Sequence, residues 1–337
     1  MFNAFPHFTS SMTSGDVHSP TTAWVIDHPS HVHVLDRFIR SSNEKDIVFA
    51  VERKEVQSLI DGCRFHGKPV HWLPRPSGSI SMLRRAFRAM VRQRRIRRIL
   101  VQHQGVERIV AINAPLEIKV ARQVGIGERI LVLDVEIDHL VQRLAARSAT
   151  MIVVPTDWMD DLAHPCMSSI EIKRLRGPWA HLYVRNQTEL PSTDTILIRR
   201  LRGDGNHDRD EMVSITQLME RSPSFIVWDE DIPLDEPWQG PGLAQDVRAV
   251  ISQSVTVAIE AALVGRPVLL ASRAKRGVID GLIERGAPIL RWTGSDDTSI
   301  LKRWEILLND PPKWRDPQGG DVLGDWTEIL RFSPTQT

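Results

Sequence analysis

Residues 250–270 read VISQSVTVAIEAALVGRPVLL, a pattern typical of parallel sheets. The segment begins with β-branched apolar residues and continues through small polar residues. Apolar residues at helical spacing follow, with one acid, Glu260, among them. Gly265 and Pro267 end the helical run, and a second apolar run lies at 268–270. A strand, a polar turn, a short helix and a second strand in this order predict one βαβ unit.

The turn of this unit is expected at the carboxyl edge of the sheet, where open α/β folds bind their ligands. The N-terminus of the helix there offers unpaired N–H groups and the positive end of its dipole to an anion. Glu260, further along the helix, is placed to accept hydrogen bonds from sugar hydroxyls. The segment therefore predicts a site for an anionic ligand that carries a sugar.

Short strands and helices alternate along the rest of the chain. Strands are predicted at 23–26, 46–51, 68–73, 99–102, 106–112, 129–134, 151–154, 195–199, 224–228 and 288–292. Helices are predicted from residue 30 and at 56–60, 80–98, 116–124, 137–146, 211–221, 278–285 and 299–308. The alternation occurs in two sets, separated by a segment of broken periodicity. We therefore predict an α/β fold with two Rossmann-like, doubly wound domains that face a cleft.

The domain boundaries are predicted from the same pattern. The N-terminal domain is expected over 22–165 and the C-terminal domain over 195–315, with a linker or crossover at 166–194. Residues 1–21 are predicted to be a disordered leader. The tail, 316–337, is rich in Pro, Gly, Asp and Trp and can pack back across the first domain.

The composition is ordinary for a globular protein, with 42% hydrophobic and 25% charged residues in a chain of 337. The formal net charge is +1, so no global field attracts nucleic acid or membrane. Cys63 and Cys166 are the two cysteines, which excludes a disulfide framework and fits a reducing compartment. No apolar run approaches membrane-spanning length, and the N-terminus lacks the features of a signal peptide. We therefore predict a cytoplasmic protein.

Four segments, in the same order along the chain, resemble a known family. They are WVIDHPSHVHVLDRFI from Trp24, LDVEIDHLVQRLAARSATMIVVP from Leu133, IRRLRGDGNH from Ile198, and the block from Ser252 to Pro267. Together they resemble the family known as domain of unknown function 354. That family is similar to the GT-B glycosyltransferases and to the UDP-N-acetylglucosamine 2-epimerases, which place two Rossmann-like domains around a nucleotide-sugar cleft.

The resemblance implies roles for residues of the quoted βαβ unit. It implies that Glu260 holds the ribose of a UDP-linked nucleotide-sugar, and that Ser252, Ser254 and Thr256 lie against the pyrophosphate. It further implies that the C-terminal domain binds the donor and the N-terminal domain the acceptor. Relatives have glycines in this turn, where the present chain has Gln253, Ser254 and Val255. Without glycine the backbone approaches a phosphate less closely, although hydroxyl groups can donate instead.

His31 follows the first predicted strand, where some inverting GT-B enzymes keep a histidine that faces the acceptor. An imidazole can accept the proton of an acceptor hydroxyl at neutral pH. The competing interpretation is that His28, His31 and His33 cap a helix and bond to the backbone. The His-x-His spacing also suggests a metal, but no third ligand is evident, so we predict no metal site.

Acidic and basic groups after two other strands are further candidates. Glu136 lies between Asp134 and Asp138 at a helix start, which favours compensation of the helix dipole. The alternative is a catalytic Glu136 that faces the cleft. Arg199 ends the first strand of the second half and can neutralise a diphosphate without a metal, with a surface ion pair as the alternative.

A strongly basic helix is predicted to include LRRAFRAMVRQRRIRR, which begins at Leu83 and ends at Arg98 and contains eight arginines. Its apolar residues, Leu83, Phe87, Met90, Val91 and Ile96, are expected to share one face. A solvated helix face is one interpretation, and peripheral docking on anionic lipid is the other. Phe87 is the one aromatic residue among these arginines, which is not the aromatic interleaving of a nucleic-acid site, so we predict no nucleic-acid partner.

These observations predict a glycosyltransferase that moves a sugar from a nucleotide-sugar donor to a glycan or lipid-linked acceptor, in surface polysaccharide biosynthesis. No cofactor is expected beyond the donor substrate. The alternatives are a sugar-nucleotide 2-epimerase and a non-catalytic binding protein on the same scaffold.

Overall fold

The computed structural model describes residues 20–60, 65, 67–74, 82–185, 191, 193–202, 212–220, 224–229, 234, 236–294, 298–318 and 321–330, with the side chains of 82–85 excepted. Most of the predicted leader lies outside these residues. So do Asp204, Asn206 and His207 of the third resembling segment.

Twelve strands in the described part of the chain form two sheets in which every paired strand is parallel. The seven-stranded sheet has the order β3-β2-β1-β4-β5-β6-β7, and the five-stranded sheet has the order β12-β11-β10-β8-β9. The strands are β1 (Thr22–Ile26), β2 (Ile47–Val51), β3 (Val70–Leu73), β4 (Arg108–Ile112), β5 (Glu128–Val132), β6 (Met151–Pro155), β7 (Glu171–Leu175), β8 (Ile196–Arg200), β9 (Phe225–Asp229), β10 (Ala249–Ser252), β11 (Val268–Leu270) and β12 (Ile289–Arg291).

Helices cover the sheets. The α-helices are Pro29–Ser41, Lys54–Ile60, Met82–Gln102, Pro115–Gln123, His139–Ala146, Thr216–Glu220, Val255–Val264, Gly277–Glu284, Thr298–Asn309 and Val322–Leu330. Shorter 3-10 segments lie at Pro165–Ser169, Trp179–Leu182 and Pro237–Asp246. The predicted fold class, two doubly wound α/β sheets, is confirmed.

The quoted βαβ unit forms as predicted. β10 and β11 pair in parallel, and the Val255–Val264 helix connects them. Gly265 ends this helix with φ +92°, a left-handed conformation that favours glycine. Seven of the ten helical residues are buried, because the helix packs between its own sheet and the rest of the molecule. The turn before it therefore lies at the carboxyl edge of the second sheet.

The tail packs back across the first domain, as the sequence suggested. Trp326 of the Val322–Leu330 helix is fully buried and lies 5.5 Å, between ring centroids, from Phe38. Arg108 donates a hydrogen bond of 2.6 Å to the carbonyl of Leu330. The chain thus crosses to the second sheet and returns to the first.

Two sequence predictions differ from the structure. Residues 99–102 are not a strand, because they continue the Met82–Gln102 helix with Ile99 and Leu100 on its buried side. Three successive apolar residues do not by themselves distinguish a strand from the end of a helix. The predicted linker, 166–194, contains β7, an edge strand of largely exposed polar residues, which lacks the apolar alternation of an inner strand. The predicted domain boundaries otherwise stay predictions.

Among the described residues, no helix combines the length and the apolarity needed to cross a bilayer.

Candidate functional site

A cavity of about 140 Å³ lies between the two domains, at the carboxyl edges of both sheets. The second domain contributes four of the predicted site residues to its lining: Arg199, Ser254, Thr256 and Glu260. The first domain contributes the start of the Pro29–Ser41 helix and part of the Lys54–Ile60 helix. The cavity therefore lies where the fold predicts a ligand.

The turn between β10 and its helix is held by its own side chains. Ser252 is fully buried, and its hydroxyl donates to the carbonyl of Ser254 at 2.8 Å and accepts from the Ser254 N–H at 3.0 Å. The Ser254 hydroxyl accepts from the N–H of Val257 at 3.4 Å and caps the helix. Ser252 is therefore held within the turn, and its predicted contact with a pyrophosphate stays a prediction, whereas Ser254 and Thr256 line the cavity.

Gln253 explains how this turn forms without glycine. Its amide nitrogen donates to the carbonyl of Val213 at 2.8 Å, and its amide oxygen accepts from the N–H of Leu201 at 3.0 Å. The side chain is 8% exposed, so both bonds are shielded from water. Gln253 thus ties the turn to the two chain segments beside it.

Glu260 is almost completely buried beside the cavity. The hydroxyl of Tyr183 donates to Glu260 Oε1 at 2.8 Å. Burial raises the pKa of Glu260 to about 7, although the bond from Tyr183 and the positive charge of Arg199 act against this shift. A carboxyl group with this pKa changes its charge near neutral pH, which matters for any ligand whose hydroxyls it accepts.

Arg199 extends from the end of β8 into the cavity wall. Its guanidinium carbon lies 4.1 Å from the centroid of the Trp228 ring, a cation–π arrangement, and Nη1 donates to the Trp228 carbonyl at 3.3 Å. The next residue, Arg200, instead forms a bidentate pair with Asp229 on the surface. The surface ion pair, which was the alternative for Arg199, is therefore formed by its neighbour Arg200. Arg199 itself lies at the cavity.

His31 does not line the cavity. It is 5% exposed, and its Nδ1 accepts a hydrogen bond from the Asp27 N–H at 3.2 Å. Burial lowers its pKa to about 4. A neutral ring whose Nδ1 accepts a hydrogen bond carries its proton on Nε2, so neither nitrogen is free to take a proton. The catalytic role of His31 stays a prediction, and this geometry favours the alternative interpretation, a histidine fixed by the backbone.

The neighbouring histidines, His28 and His33, do line the cavity. His28 is the N-cap of the Pro29–Ser41 helix, and its Nδ1 accepts from the Ser30 N–H at 3.3 Å. The His33 ring is stacked on Tyr183, with 5.3 Å between ring centroids. His33 therefore contacts the residue that holds Glu260.

Glu136 lies at a contact between the domains. It is 1% exposed, and its Oε1 accepts from the N–H of Gly277 at 3.0 Å, at the start of the Gly277–Glu284 helix. Burial raises its pKa. Glu136 thus compensates the dipole of a helix in the opposite domain, rather than that of its own helix. Its catalytic role stays a prediction, and it is not among the residues that line the cavity.

Sequence reasoning missed several residues of this site. Tyr183 is the only tyrosine in the chain, but it lies in the predicted linker. Arg53 and Trp228 line the cavity, and the periodicity of their segments gave no sign of a site. Asn113 has φ +51°, unusual for a residue other than glycine, and its amide donates to Asp134 at 2.5 Å. The sequence did contain one indication of a site at Asn113, namely its position directly after β4, at the carboxyl edge of the sheet.

Asp134 adds an acidic group from the first domain. Burial raises its pKa, and its negative charge in turn contributes to a raised pKa of Tyr183. Within the described residues, no group of three or more His, Cys, Asp or Glu side chains is arranged to hold a metal ion.

Comparison with known proteins relates this architecture to solved structures. The UDP-GlcNAc 2-epimerase of Neisseria meningitidis, bound to UDP-GlcNAc, is similar with a TM-score of 0.65 and 13% identity, over 93% of this chain and 100% of that one. The Methanocaldococcus jannaschii UDP-GlcNAc 2-epimerase, in complex with UDP-GlcNAc and UDP, has a TM-score of 0.65 and 14% identity over the same shares.

A third solved structure has a different ligand pair. UGT2 of Phytolacca americana, complexed with UDP-2-fluoro-glucose and pterostilbene, has a TM-score of 0.53 and 11% identity, over 93% of this chain and 100% of that one. These likenesses show a GT-B-like fold that extends over nearly the whole chain. No protein-family model and no curated protein matches the sequence, so the resemblance to domain of unknown function 354 is not confirmed.

Proposed function

We propose that this protein binds a nucleotide-sugar in the interdomain cavity and transfers the sugar to an acceptor. The observation that carries the proposal is the meeting of three groups in one cavity: the N-terminus of the Val255–Val264 helix, Arg199 and Glu260. A helix N-terminus and a guanidinium suit a diphosphate, and a buried carboxylate suits ribose hydroxyls. The fold likeness to proteins solved with UDP or UDP-sugars supports UDP as the nucleotide.

The proposed donor pose assigns one part of the ligand to each group. Ser254 and Thr256 donate to the diphosphate through their hydroxyl groups, and Arg199 neutralises its charge. Glu260 accepts from the ribose, and Tyr183 fixes the orientation of the carboxylate. Arg199 then stabilises the charge that develops on the departing nucleoside diphosphate, the role that a metal has in other transferases.

The acceptor hydroxyl must lose a proton as it attacks the sugar. His31, the base predicted from sequence, has its Nδ1 occupied by the Asp27 N–H. His33 lines the cavity and contacts Tyr183, so it is the better-placed histidine for this step. Turnover that is lost in His33→Ala and kept in His31→Asn supports this assignment, and the reverse result supports His31.

Calorimetric titration with UDP and with UDP-GlcNAc tests donor binding. At a pH above the Glu260 pKa of about 7, where the carboxyl is charged, we expect both to bind and Glu260→Gln to weaken UDP binding by roughly tenfold to a hundredfold, because a hydrogen bond to a charged group contributes about 1.5–3 kcal/mol. Glu305→Gln, an exposed acid on another helix, is the control and should bind as the wild type does. Absence of binding by the wild type would contradict the proposal and favour a non-catalytic scaffold.

A sugar-nucleotide 2-epimerase is the second candidate. It is favoured by the fold likeness to 2-epimerases. Incubation with UDP-GlcNAc and no acceptor separates the two activities. An epimerised product indicates the epimerase, whereas sugar transfer that requires an added acceptor indicates the transferase.

A further inference from the structure

The Met82–Gln102 helix has two faces of different character. Arg92, Ile96, Ile99 and Leu100 are buried against the first sheet and the neighbouring Pro115–Gln123 helix. On the opposite face, Phe87 is 61% exposed, Met90 39% and Val91 40%. The apolar residues therefore do not share one face, contrary to the sequence prediction, because Ile96 points into the core and Phe87 points outward.

Arg92 fixes the orientation of this helix. Its Nε donates to Glu117 at 2.6 Å and its Nη2 donates to Asp27 at 2.9 Å, and the arginine itself is 5% exposed. The two carboxylates raise the pKa of Arg92, which stays charged. Since a buried charge that loses its partners costs several kcal/mol, rotation of the helix is strongly opposed. The apolar residues on the far side are thus held outward.

Positive charge surrounds these apolar side chains. Arg94 and Arg98 follow Phe87 at helical spacing on the same face and are exposed. The sequence of the helix, MLRRAFRAMVRQRRIRRILVQ, contains no acid. We refer to Phe87, Met90, Val91, Arg94 and Arg98 as the arginine–apolar patch. Because the whole chain has a formal charge of only +1, this positive surface is a local feature.

The patch lies close to the candidate site. The helix follows β3 in a parallel sheet, so its N-terminal part, which includes Phe87, is at the carboxyl edge. Arg92, one residue after the patch residue Val91, bonds to Asp27. His28, the next residue after Asp27, lines the interdomain cavity. The N-terminal end of the patch and the cavity therefore both lie on the carboxyl-edge side of the first sheet.

We infer that the arginine–apolar patch docks on an anionic lipid surface. Phe87, Met90 and Val91 enter the boundary between headgroups and acyl chains, and the arginines bind lipid phosphates, the arrangement of interfacial helices. A lipid surface fits this patch better than nucleic acid does, because a phosphate backbone would not bury the apolar side chains of Phe87, Met90 and Val91. This inference rests on the proposed function and specifies its acceptor class as lipid-linked, since docking brings the carboxyl-edge side of the first sheet, where the cavity lies, to the lipid headgroups.

Co-sedimentation with vesicles tests the inference. One vesicle preparation is pure phosphatidylcholine and the other also contains phosphatidylglycerol. We expect binding to the anionic vesicles, and a partition coefficient that falls about tenfold or more both in F87S/M90S/V91S and in R94E/R98E, from the loss of apolar burial and of charge pairing respectively. The matched controls are I306S and K302E/R303E, exposed positions on the Thr298–Asn309 helix, which should bind as the wild type does.

Other outcomes would overturn the inference. These are absence of binding to anionic vesicles, equal loss in the control variants, and binding that R94E/R98E abolishes while F87S/M90S/V91S leaves it unchanged. The last result indicates a purely electrostatic contact, as with an acidic protein. UDP titration of the same variants keeps the two proposals apart, since a patch variant that binds UDP normally has a sound donor site whatever the vesicles show.

Discussion

Glu260 and His31 are both buried, and burial shifts their pKa values in opposite directions. The pKa of the Glu260 carboxyl rises from 4.5 to about 7, and the pKa of the His31 imidazole falls from 6.5 to about 4. In each case the desolvated charged form is the unfavourable one. Both residues are therefore predominantly neutral in the folded state around pH 6, whereas both are partly charged in the unfolded chain.

This difference predicts opposite effects on the pH dependence of stability. Between pH 4.5 and about 7 the folded state keeps the Glu260 proton that the unfolded chain has lost, so this residue makes the free energy of unfolding fall as pH rises. Between pH 4 and 6.5 the unfolded chain binds a proton on His31 that the folded state does not, so this residue makes the free energy of unfolding rise with pH. Each contribution is on the order of 3 kcal/mol over its full range.

Urea unfolding at a series of pH values measures both contributions. Relative to the wild type, Glu260→Gln should gain stability as pH rises through this interval. His31→Asn keeps an acceptor for the Asp27 N–H, and it should gain stability relative to the wild type as pH falls. Glu305→Gln should parallel the wild type. Variants that parallel the wild type at both positions would contradict the burial of these groups.

At the scale of the element, the turn between β10 and the Val255–Val264 helix contains no glycine and is held by hydrogen bonds of its own side chains. Ser252 and Ser254 satisfy groups within the turn, and Gln253 bonds to Leu201 and to Val213 on either side. The turn is thus stabilised by hydrogen bonds that are shielded from water. Its hydroxyl-bearing residues still reach the cavity at Ser254 and Thr256.

Gln253→Ala should therefore affect both stability and ligand binding. Removal of the amide leaves the Leu201 N–H and the Val213 carbonyl without this partner, at a cost of about 1–3 kcal/mol in the free energy of unfolding. UDP affinity should fall as well, because the turn loses its support. Gln239→Ala, at an exposed glutamine, is the matched control. Unchanged stability and unchanged UDP affinity would show that the backbone alone maintains the turn.

At the scale of the whole molecule, the two domains meet through a contact that has no room for a side chain at Gly277. A Cβ atom there would lie 1.7 Å from the carbonyl oxygen of Asp157 and 2.8 Å from Glu136 Oε1. Arg285 in the same helical segment also pairs with Asp157 at 2.8 Å. The cavity between the domains measures about 140 Å³, below the roughly 300–1,000 Å³ of ordinary ligand pockets. A nucleotide-sugar that binds there must therefore extend beyond this cavity, which shares His33 and Pro241 with a neighbouring cavity of about 1260 Å³.

Gly277→Ala should hold the domains apart. The added methyl group cannot fit against the Asp157 backbone, so we expect a larger radius of gyration by small-angle X-ray scattering in the absence of ligand. With UDP added, the radius of gyration of Gly277→Ala should also stay larger than that of the wild type. Gly127→Ala is the control, because a Cβ there meets no atom closer than 4.0 Å. Identical scattering from Gly277→Ala and wild type would contradict a tight contact at this position.

Local patterns were sufficient for most of the architecture. The βαβ unit, the end of its helix at Gly265 and the position of Glu260 on that helix all follow from residues close together in the sequence. Arg199 at the end of β8 follows in the same way, since the carboxyl end of a parallel strand points to the ligand edge. An edge strand such as β7 was missed because it buries little and so carries no strong apolar pattern.

The sequence by itself thus determined the two α/β sheets and the segment that faces a ligand, because backbone hydrogen bonding and burial repeat with the periods of helix and strand. The tertiary structure decided which side chains meet. Tyr183 reaches Glu260 across 77 positions, and Glu136 reaches Gly277 across 141. Such contacts depend on how the domains pack and on which groups that packing removes from water. The periodicity of a local segment predicts helices and strands, but it does not predict domain packing.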